Sequence, residues 1–263
     1  MPYTSKMCGR YQNRAEKQRI AEAFRVGIPP TFEILPSYNI APQTDQPIVR
    51  LNRDRAEREL ALLRWGLVPF FSKDPKIGYS TINARAETVT SSPTFREAMK
   101  RRRCLVPATG FYEWQKIGNK AKQPWTIELP NGELFAFAGL WDRWKDRTTG
   151  SVLETYTIIT TDPNELVRPM HDRMPVILSP SDYDRWLDPG DPDRPPIDIL
   201  RPFPAERMTA WKVSPAVGNT KNDSPELRLP ADAGPADLFT EPSQGQALTL
   251  DGTNPAADLN DMS

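Results

Sequence analysis

His171 is the only histidine in this chain of 263 residues, and Cys8 is one of only two cysteines. The histidine sits in Met170-His171-Asp172-Arg173-Met174-Pro175 and the cysteine in Met7-Cys8-Gly9-Arg10-Tyr11. Cysteine chemistry assisted by histidine therefore has one possible partner and two possible thiols. Cys8 stands among Lys6, Gly9 and Arg10, an electropositive stretch that favours a thiolate. The plainer reading is a small buried apolar residue, as most free cysteines are. Cys104, in Arg103-Cys104-Leu105-Val106-Pro107, lies in an apolar run where burial keeps a thiol inert. A lone histidine is more often structural than catalytic, but Pro169, Asp172, Arg173 and Pro175 set His171 in a rigid, polar turn, where function concentrates.

Two further segments add acid–base and anion-binding groups. In Ile82-Asn83-Ala84-Arg85-Ala86-Glu87 an amide and a guanidinium share one face of a strand. Arg85 suits a phosphate, or else a salt bridge to Glu87. In Gly110-Phe111-Tyr112-Glu113-Trp114 a carboxylate stands between aromatics, which would desolvate it and raise its pKa for acid–base work. The alternative is an exposed strand carboxylate. Phe70-Phe71 follows Trp65-Gly66-Leu67-Val68-Pro69, and two adjacent rings in extended chain cannot face one core. One is then free to stack on a base or wedge between bases; the alternative buries both in an irregular loop.

These groups need a scaffold, and strands dominate it. Runs at Glu59–Trp65, Cys104–Pro107, Trp125–Leu129, Leu134–Leu140 and Thr155–Thr160 are bounded by Pro, Gly, Asn or Asp. Asn131-Gly132 between two of them predicts a hairpin. Helices are expected at Asn13–Phe24, with Asn13 as cap, at Pro93–Arg101 after Ser92, and at Pro180–Leu187. Leu187–Pro204, with prolines at six positions, reads as a surface loop. Many strands with a few peripheral helices make the class α+β.

Composition sets the outer limits. Hydrophobic residues at 38% and charged ones at 26% describe a soluble globular body. No apolar run approaches the roughly 20 residues that cross a bilayer, so no membrane partner is expected, and Met1–Lys6 is too short and polar for a signal peptide. Two cysteines and one histidine fit neither a disulfide scaffold nor an ordinary zinc site; no metal or cofactor is expected, and the location is read as cytoplasmic. The 34 basic and 34 acidic residues balance, but six of the acids lie in 231–263, which has no Lys or Arg. Without that segment 34 basic groups face 28 acidic ones, a net of +6. A mildly basic body with an acidic, disordered tail at 231–263 is expected; solvated surface charge or contact with a polyanion would each explain the balance.

Taken in order, eight segments resemble the SRAP family (SOS response-associated peptidase), also described as abasic-site processing proteins. They are Met7–Tyr11, Tyr38-Asn39-Ile40-Ala41-Pro42, Trp65–Pro69, Asn83–Glu87, Gly110–Trp114, Ala138-Gly139-Leu140-Trp141, His171–Pro175, and Val213-Ser214 with Val217, Asn219 and Asn222. The resemblance spans roughly residues 7–230 and implies one compact domain there, with a β-barrel-like mixed sheet core and a basic groove. It implies binding to single-stranded DNA and capture of abasic sites, as a monomer, on the nucleoid, with any replication-fork partner unspecified. The ring-opened abasic sugar is an aldehyde. An amino-terminal cysteine adds its α-amine to form an imine, and its thiol closes a five-membered thiazolidine ring.

The resemblance assigns roles to positions. Cys8 becomes the nucleophile and crosslinking residue, Asn83 positions the amino terminus or the sugar, Glu113 is the acid–base group, and His171 assists proton transfer. Arg10, Asn39, Arg85 and Arg173 fall where the family grips phosphates, and Phe70 and Phe71 where relatives stack on DNA. One departure matters: Cys8 is not residue 2. The amine exists only if translation starts at Met7, the favoured expectation, or if the leader is cleaved after Met7 by the self-processing peptidase activity that the resemblance implies, with Cys8 as nucleophile; a lyase activity is expected beside it. The competing expectations are a cysteine peptidase or amidohydrolase using Cys8, His171 and Asn83, and a non-catalytic strand-binding module.

Overall fold

The computed structural model describes residues 8–232 apart from 28–32, 53, 55 and 119–120. The chain opens with β1 (Tyr11–Asn13) and α1 (Lys17–Phe24), then β2 (Ser37–Ile40), β3 (Asp45–Asn52) and β4 (Glu57–Trp65). After β5 (Asn83–Arg85) and α2 (Arg96–Arg101) come β6 (Arg103–Ala108), β7 (Gly110–Ile117) and β8 (Ala121–Glu128). The long β9 (Phe135–Lys145) and β10 (Val152–Thr161) precede β11 (Met174–Pro175), β12 (Ile177–Leu178), α3 (Tyr183–Leu187) and β13 (Thr209–Lys212).

Five strands close on themselves in the order β10-β4-β3-β6-β9, because β9 also pairs with β10 along seven residue pairs. β4 and β10 run parallel; the other pairs of the ring are antiparallel. β5, β11 and β12 are added to β10 and β9. A second, antiparallel sheet, β13-β8-β7-β1-β2, packs against this barrel.

Period-two alternation explains why the ring strands are apolar almost throughout. One core cluster takes Ile48, Cys104, Val106, Phe137 and Ile158 from the barrel together with Tyr11, Phe111 and Ile127 from the second sheet. The neighbours Val49, Leu105, Ala138 and Ile159 point the other way, against Ile20 and Phe24 of α1, Met99 of α2 and Trp186 of α3. The strands are buried on both faces, so the sequence shows runs rather than alternation. The α+β class read from the strand and helix pattern and the barrel-like core implied by the family resemblance are the observed architecture.

Several local expectations are corrected. Asn131 and Gly132 do take the left-handed backbone of a tight turn, with φ of 57° and 62°. The turn joins no hairpin: β8 pairs with β7 and β13, whereas β9 pairs with β6, β10 and β12. It carries the chain from one sheet to the other. Asn13 belongs to β1 and its side chain accepts the Ala15 N–H, so the helix starts at Lys17. The helix expected from Pro93 begins at Arg96. The one expected from Pro180 is a single 3-10 turn at Pro180–Asp182 followed by α3. The proline-rich stretch after α3 is a loop with one short 3-10 turn at Ile197–Ile199. Most of the expected acidic tail, 233–263, lies outside the described residues. Among the described residues no helix is long and apolar enough to cross a membrane.

Gly66 ends β4 at φ 128°, and a Cβ there would lie 2.3 Å from the Gly78 carbonyl oxygen. The bend starts a loop whose ends are tied together. Leu67 N–H donates to the Thr81 carbonyl, the Thr81 hydroxyl donates to the Leu67 carbonyl, and the Trp65 indole donates to the Ile82 carbonyl. The loop presents Phe70, Phe71 and Tyr79 to solvent, at 52%, 45% and 60% exposure. Both phenylalanines are therefore outside the core, one more than the sequence required, and they meet edge to face at 5.3 Å.

Candidate active site

The antiparallel register that sets Tyr11 opposite Phe111 runs the chain before β1 past Glu113 of β7. Cys8 is buried there, and its backbone N–H donates to Glu113 Oε1 at 3.0 Å. Its sulfur lies 3.9 Å from the Arg173 carbonyl oxygen, which accepts the thiol proton. Asn83, on β5, donates its side-chain amide to the Cys8 carbonyl at 3.5 Å. Asn83 also lines a cleft of about 990 Å³, together with Arg85, Trp114, Lys116, Arg168 and His171.

Burial dominates the electrostatics. It pushes the Glu113 carboxyl up to about 8, against the hydrogen bonds from Cys8 and Trp114 that favour its charged form. Burial, and then the negative charge of Glu113, raise the Cys8 thiol well above its ordinary value. The thiolate suggested by Lys6 and Arg10 is thus corrected: a desolvated thiol beside an acid keeps its proton and needs a base. Cys104 is raised by burial alone as the first cause and lies in the barrel core, the inert role read from its sequence.

His171 Nδ1 lies 3.0 Å from the Arg173 backbone nitrogen, whose N–H donates to it, and 3.0 Å from an Asp172 carboxylate oxygen. The amide bond requires a bare Nδ1. Asp172 is largely in solvent, and burial lowers the His171 pKa against its pull. The ring is neutral with its proton on Nε2, a hydrogen-bond donor.

Three of the residues expected on phosphates are committed to protein atoms. Arg173 is buried and grips both oxygens of Glu87, at 2.8 and 2.9 Å, besides Asp162 at 3.1 Å and the Thr160 carbonyl at 2.7 Å. That bidentate pair holds the Glu87 carboxyl below its ordinary range and leaves Arg85 exposed on the cleft wall, without the Glu87 salt bridge considered for it. Arg10 donates to the Asn39 side chain at 2.7 Å and the Val217 carbonyl at 2.8 Å. Asn39 is buried and donates to the carbonyls of Val217, Asn219 and Asn222 at 3.2, 3.1 and 2.7 Å. Their bonds tie the protein's own segments together, and none of the three lines the cleft. Replacing Asn39 with alanine removes the side-chain donor to the part-buried Asn219 and Asn222 carbonyls and one of two donors to the Val217 carbonyl, at a cost of about 0.5–1.5 kcal/mol per bond. The expected result is a lower denaturation midpoint with faster amide exchange in 217–222; unchanged exchange there would contradict this role.

The wall residues Trp114, Lys116 and Arg168 escaped the sequence reading. The first two were legible, since residues 114 and 116 share a face of β7. Arg168 comes from the irregular segment after β10 and had no periodic signal. Among the described residues no cluster of His, Cys, Asp and Glu is placed to hold a metal.

Barrel, second sheet and the buried contact between Cys8 and Glu113 together define the class of protein. The chain belongs to the family described as SOS response associated peptidase (SRAP), whose model matches residues 7–220. It is 45% identical over 223 residues to the abasic site processing protein YoqW of Bacillus subtilis (strain 168), covering 84% of this chain and 98% of that one. To the abasic site processing protein HMCES of Xenopus tropicalis it is 36% identical over 220 residues, 73% of this chain and 65% of the relative. A crystal structure of a Bacteroides thetaiotaomicron protein superposes with a TM-score of 0.75 at 29% identity, covering 85% of this chain and 100% of that one.

Proposed function

We propose that this chain processes abasic sites, capturing them in single-stranded DNA as a covalent thiazolidine adduct on Cys8. The observation that carries the reading is the 3.0 Å contact between the Cys8 nitrogen and Glu113, on a residue whose sulfur the same carboxyl also faces. Once that nitrogen is a free amine, it adds to the aldehyde carbon of the opened sugar. Protonated Glu113 gives its proton to the departing hydroxyl, and water leaves as the imine forms. The carboxylate so produced takes the proton of the Cys8 thiol, and sulfur adds to the carbon of the protonated imine, leaving a neutral ring N–H and Glu113 protonated as it began. One water is lost overall. Asn83 holds the Cys8 carbonyl, and the Nε2–H of His171 donates toward the sugar and phosphate beside the lesion.

The same pair suits release of a leader. Cys8 has φ of 34°, in the left-handed region, where a non-glycine residue costs about 1–3 kcal/mol. Attack of its thiol on the Met7 carbonyl, with Glu113 protonating the departing Cys8 nitrogen, moves the acyl group to sulfur; water then hydrolyses the thioester and frees the amine. The proton acceptor beside the thiol is Glu113, while His171 Nδ1 is held by the Arg173 amide, which favours this route over a cysteine–histidine peptidase.

Arg85, Lys116 and Arg168 outnumber Asp162 and Asp172 on the cleft wall, and Phe70 and Phe71 offer faces for bases. Arg85→Ala should weaken binding to abasic and intact strands alike, because phosphate contacts carry no sequence information. The slope of log affinity against log salt should fall by about 0.7, one contact on a single strand. A full wild-type slope would take Arg85 off the DNA path. The reading as a whole is tested by mass analysis of the chain, with Cys8 at its amino terminus, after incubation with abasic single-stranded DNA. A covalent adduct with loss of one water supports it; peptide cleavage alone, or simple binding, overturns it.

A further inference from the structure

A second cleft, of about 560 Å³, lies outside the site just described, between β3, β9 and the turn from α2 into β6. Its cations come from the run Lys100-Arg101-Arg102-Arg103. Lys100 binds Asp193 at 2.8 Å, and Arg103 is buried, donating to the carbonyls of Met99, Trp186 and Asp188. Arg101, Arg102 and Arg103 all line the cleft, joined by Arg50 from β3 and Arg143 from β9. Arg101 and Arg143 are exposed.

Two of the three acids on this wall are already engaged. Glu59 binds Arg50 at 2.6 Å and Asn52 at 2.7 Å. Asp142 accepts from the amides of Phe70 at 3.1 Å and Arg143 at 2.7 Å and pairs with Arg102 at 3.1 Å. Asp54 is the third, on the exposed rim. The outward field at the floor is therefore set by the arginines. Flat surfaces accompany it: Arg50 lies over the Trp141 ring at 4.2 Å and Arg102 over Phe70 at 5.8 Å.

The loop tied at Leu67 and Thr81 connects the two clefts. Phe70 at its start lines the second cleft, and Ser80 at its end lines the first. Between them stand the exposed rings of Phe71 and Tyr79 and the exposed cations Lys73 and Lys76. Cationic floor, exposed aromatic ridge and cationic floor in succession is the arrangement that tracks unpaired bases and their phosphates.

Resting on the function proposed above, we propose that the second cleft is a strand-binding site for single-stranded DNA flanking the lesion. Its phosphates lie on Arg101, Arg102 and Arg143, and the intervening bases stack on Phe70, Phe71 and Tyr79. A paired flank is disfavoured because its bases are already stacked and offer no free face to the ridge.

The test uses unmodified oligothymidylates of increasing length, with binding followed by fluorescence anisotropy over a salt titration. Wild-type affinity should rise with length in two stages. Arg143→Glu, and separately the double variant Arg101→Ala with Arg143→Ala, should remove the second stage. For the double variant the salt slope on long strands should fall by about 1.4, two contacts' worth. Tyr79→Ala should weaken long strands with an unchanged slope. Equal losses on the shortest strands, an unchanged slope on long ones, or equal competition by a blunt duplex or by polyglutamate would each overturn the proposal. Adduct formation on a short abasic strand is scored in parallel. Its absence in the wild type would count against the chemistry at Cys8, whereas its presence with a flat length dependence would count against the second cleft alone.

Discussion

Cys8→Ala, in a chain whose amino terminus is residue 8, is expected to abolish the heat-stable adduct with abasic single-stranded DNA. The variant keeps the amine and loses the sulfur, so the imine forms and hydrolyses. Trapping with a hydride reductant should recover it, which separates loss of ring closure from loss of binding. Cys104→Ala should react as the wild type does, because that thiol sits in the barrel core against Gly139 and has no route to the cleft. A chain that retains Met7 uncleaved keeps the thiol but presents an amide nitrogen, and it should bind without reacting. Equal heat-stable adduct from Cys8→Ala would sink the assignment.

Glu113→Gln is expected to slow adduct formation about 100- to 10,000-fold, the range of a positioned acid–base group. Strand affinity should change little, since Glu113 is buried beneath the cleft wall. The pH profile carries the sharper signature. Glu113, pushed up to about 8, holds its proton below that pH and loses it above, so imine formation loses its acid on the alkaline side. The α-amine, with a pKa of about 8, is neutral only on that same side. The wild-type rate should pass through a maximum near pH 8. The glutamine variant should keep the rise and lose the fall. A fall of the same shape in Glu113→Gln would mean that another group supplies the proton.

Much of the architecture was legible because two-sided burial leaves continuous apolar runs, as in β6, β9 and β10. Which runs pair was not legible. Asn131-Gly132 dictates a tight turn but says nothing of the sheet each flank joins. Glu113 illustrates a right expectation with a different cause. Its flanking rings, Tyr112 and Trp114, pack on the opposite face of β7 with Val213, Val217 and Leu227. Glu113 is desolvated on the face it shares with Phe111, where Cys8 lies across it. Arg10, Asn39 and Arg173 show the limit of reading charge from sequence. A guanidinium announces its donors, not its acceptor, and the Glu87 and Val217 groups they bind are far away in the chain. Cys8 likewise carried an electropositive neighbourhood on paper and an acidic one in space.

The ties between Arg10, Asn39 and the carbonyls of Val217, Asn219 and Asn222 also impose an order of events. Arg10 is made long before the Val217 carbonyl that it binds, 207 positions further along the chain. Glu128 repeats the arrangement, clasping Arg14 on one side and Arg228 on the other. A nascent chain that ends before residue 217 can pair Arg10 with Asn39 but lacks the Val217 carbonyl that both bind. In the function proposed above, the surroundings of Cys8 are then complete only once residues 217–222 have been made.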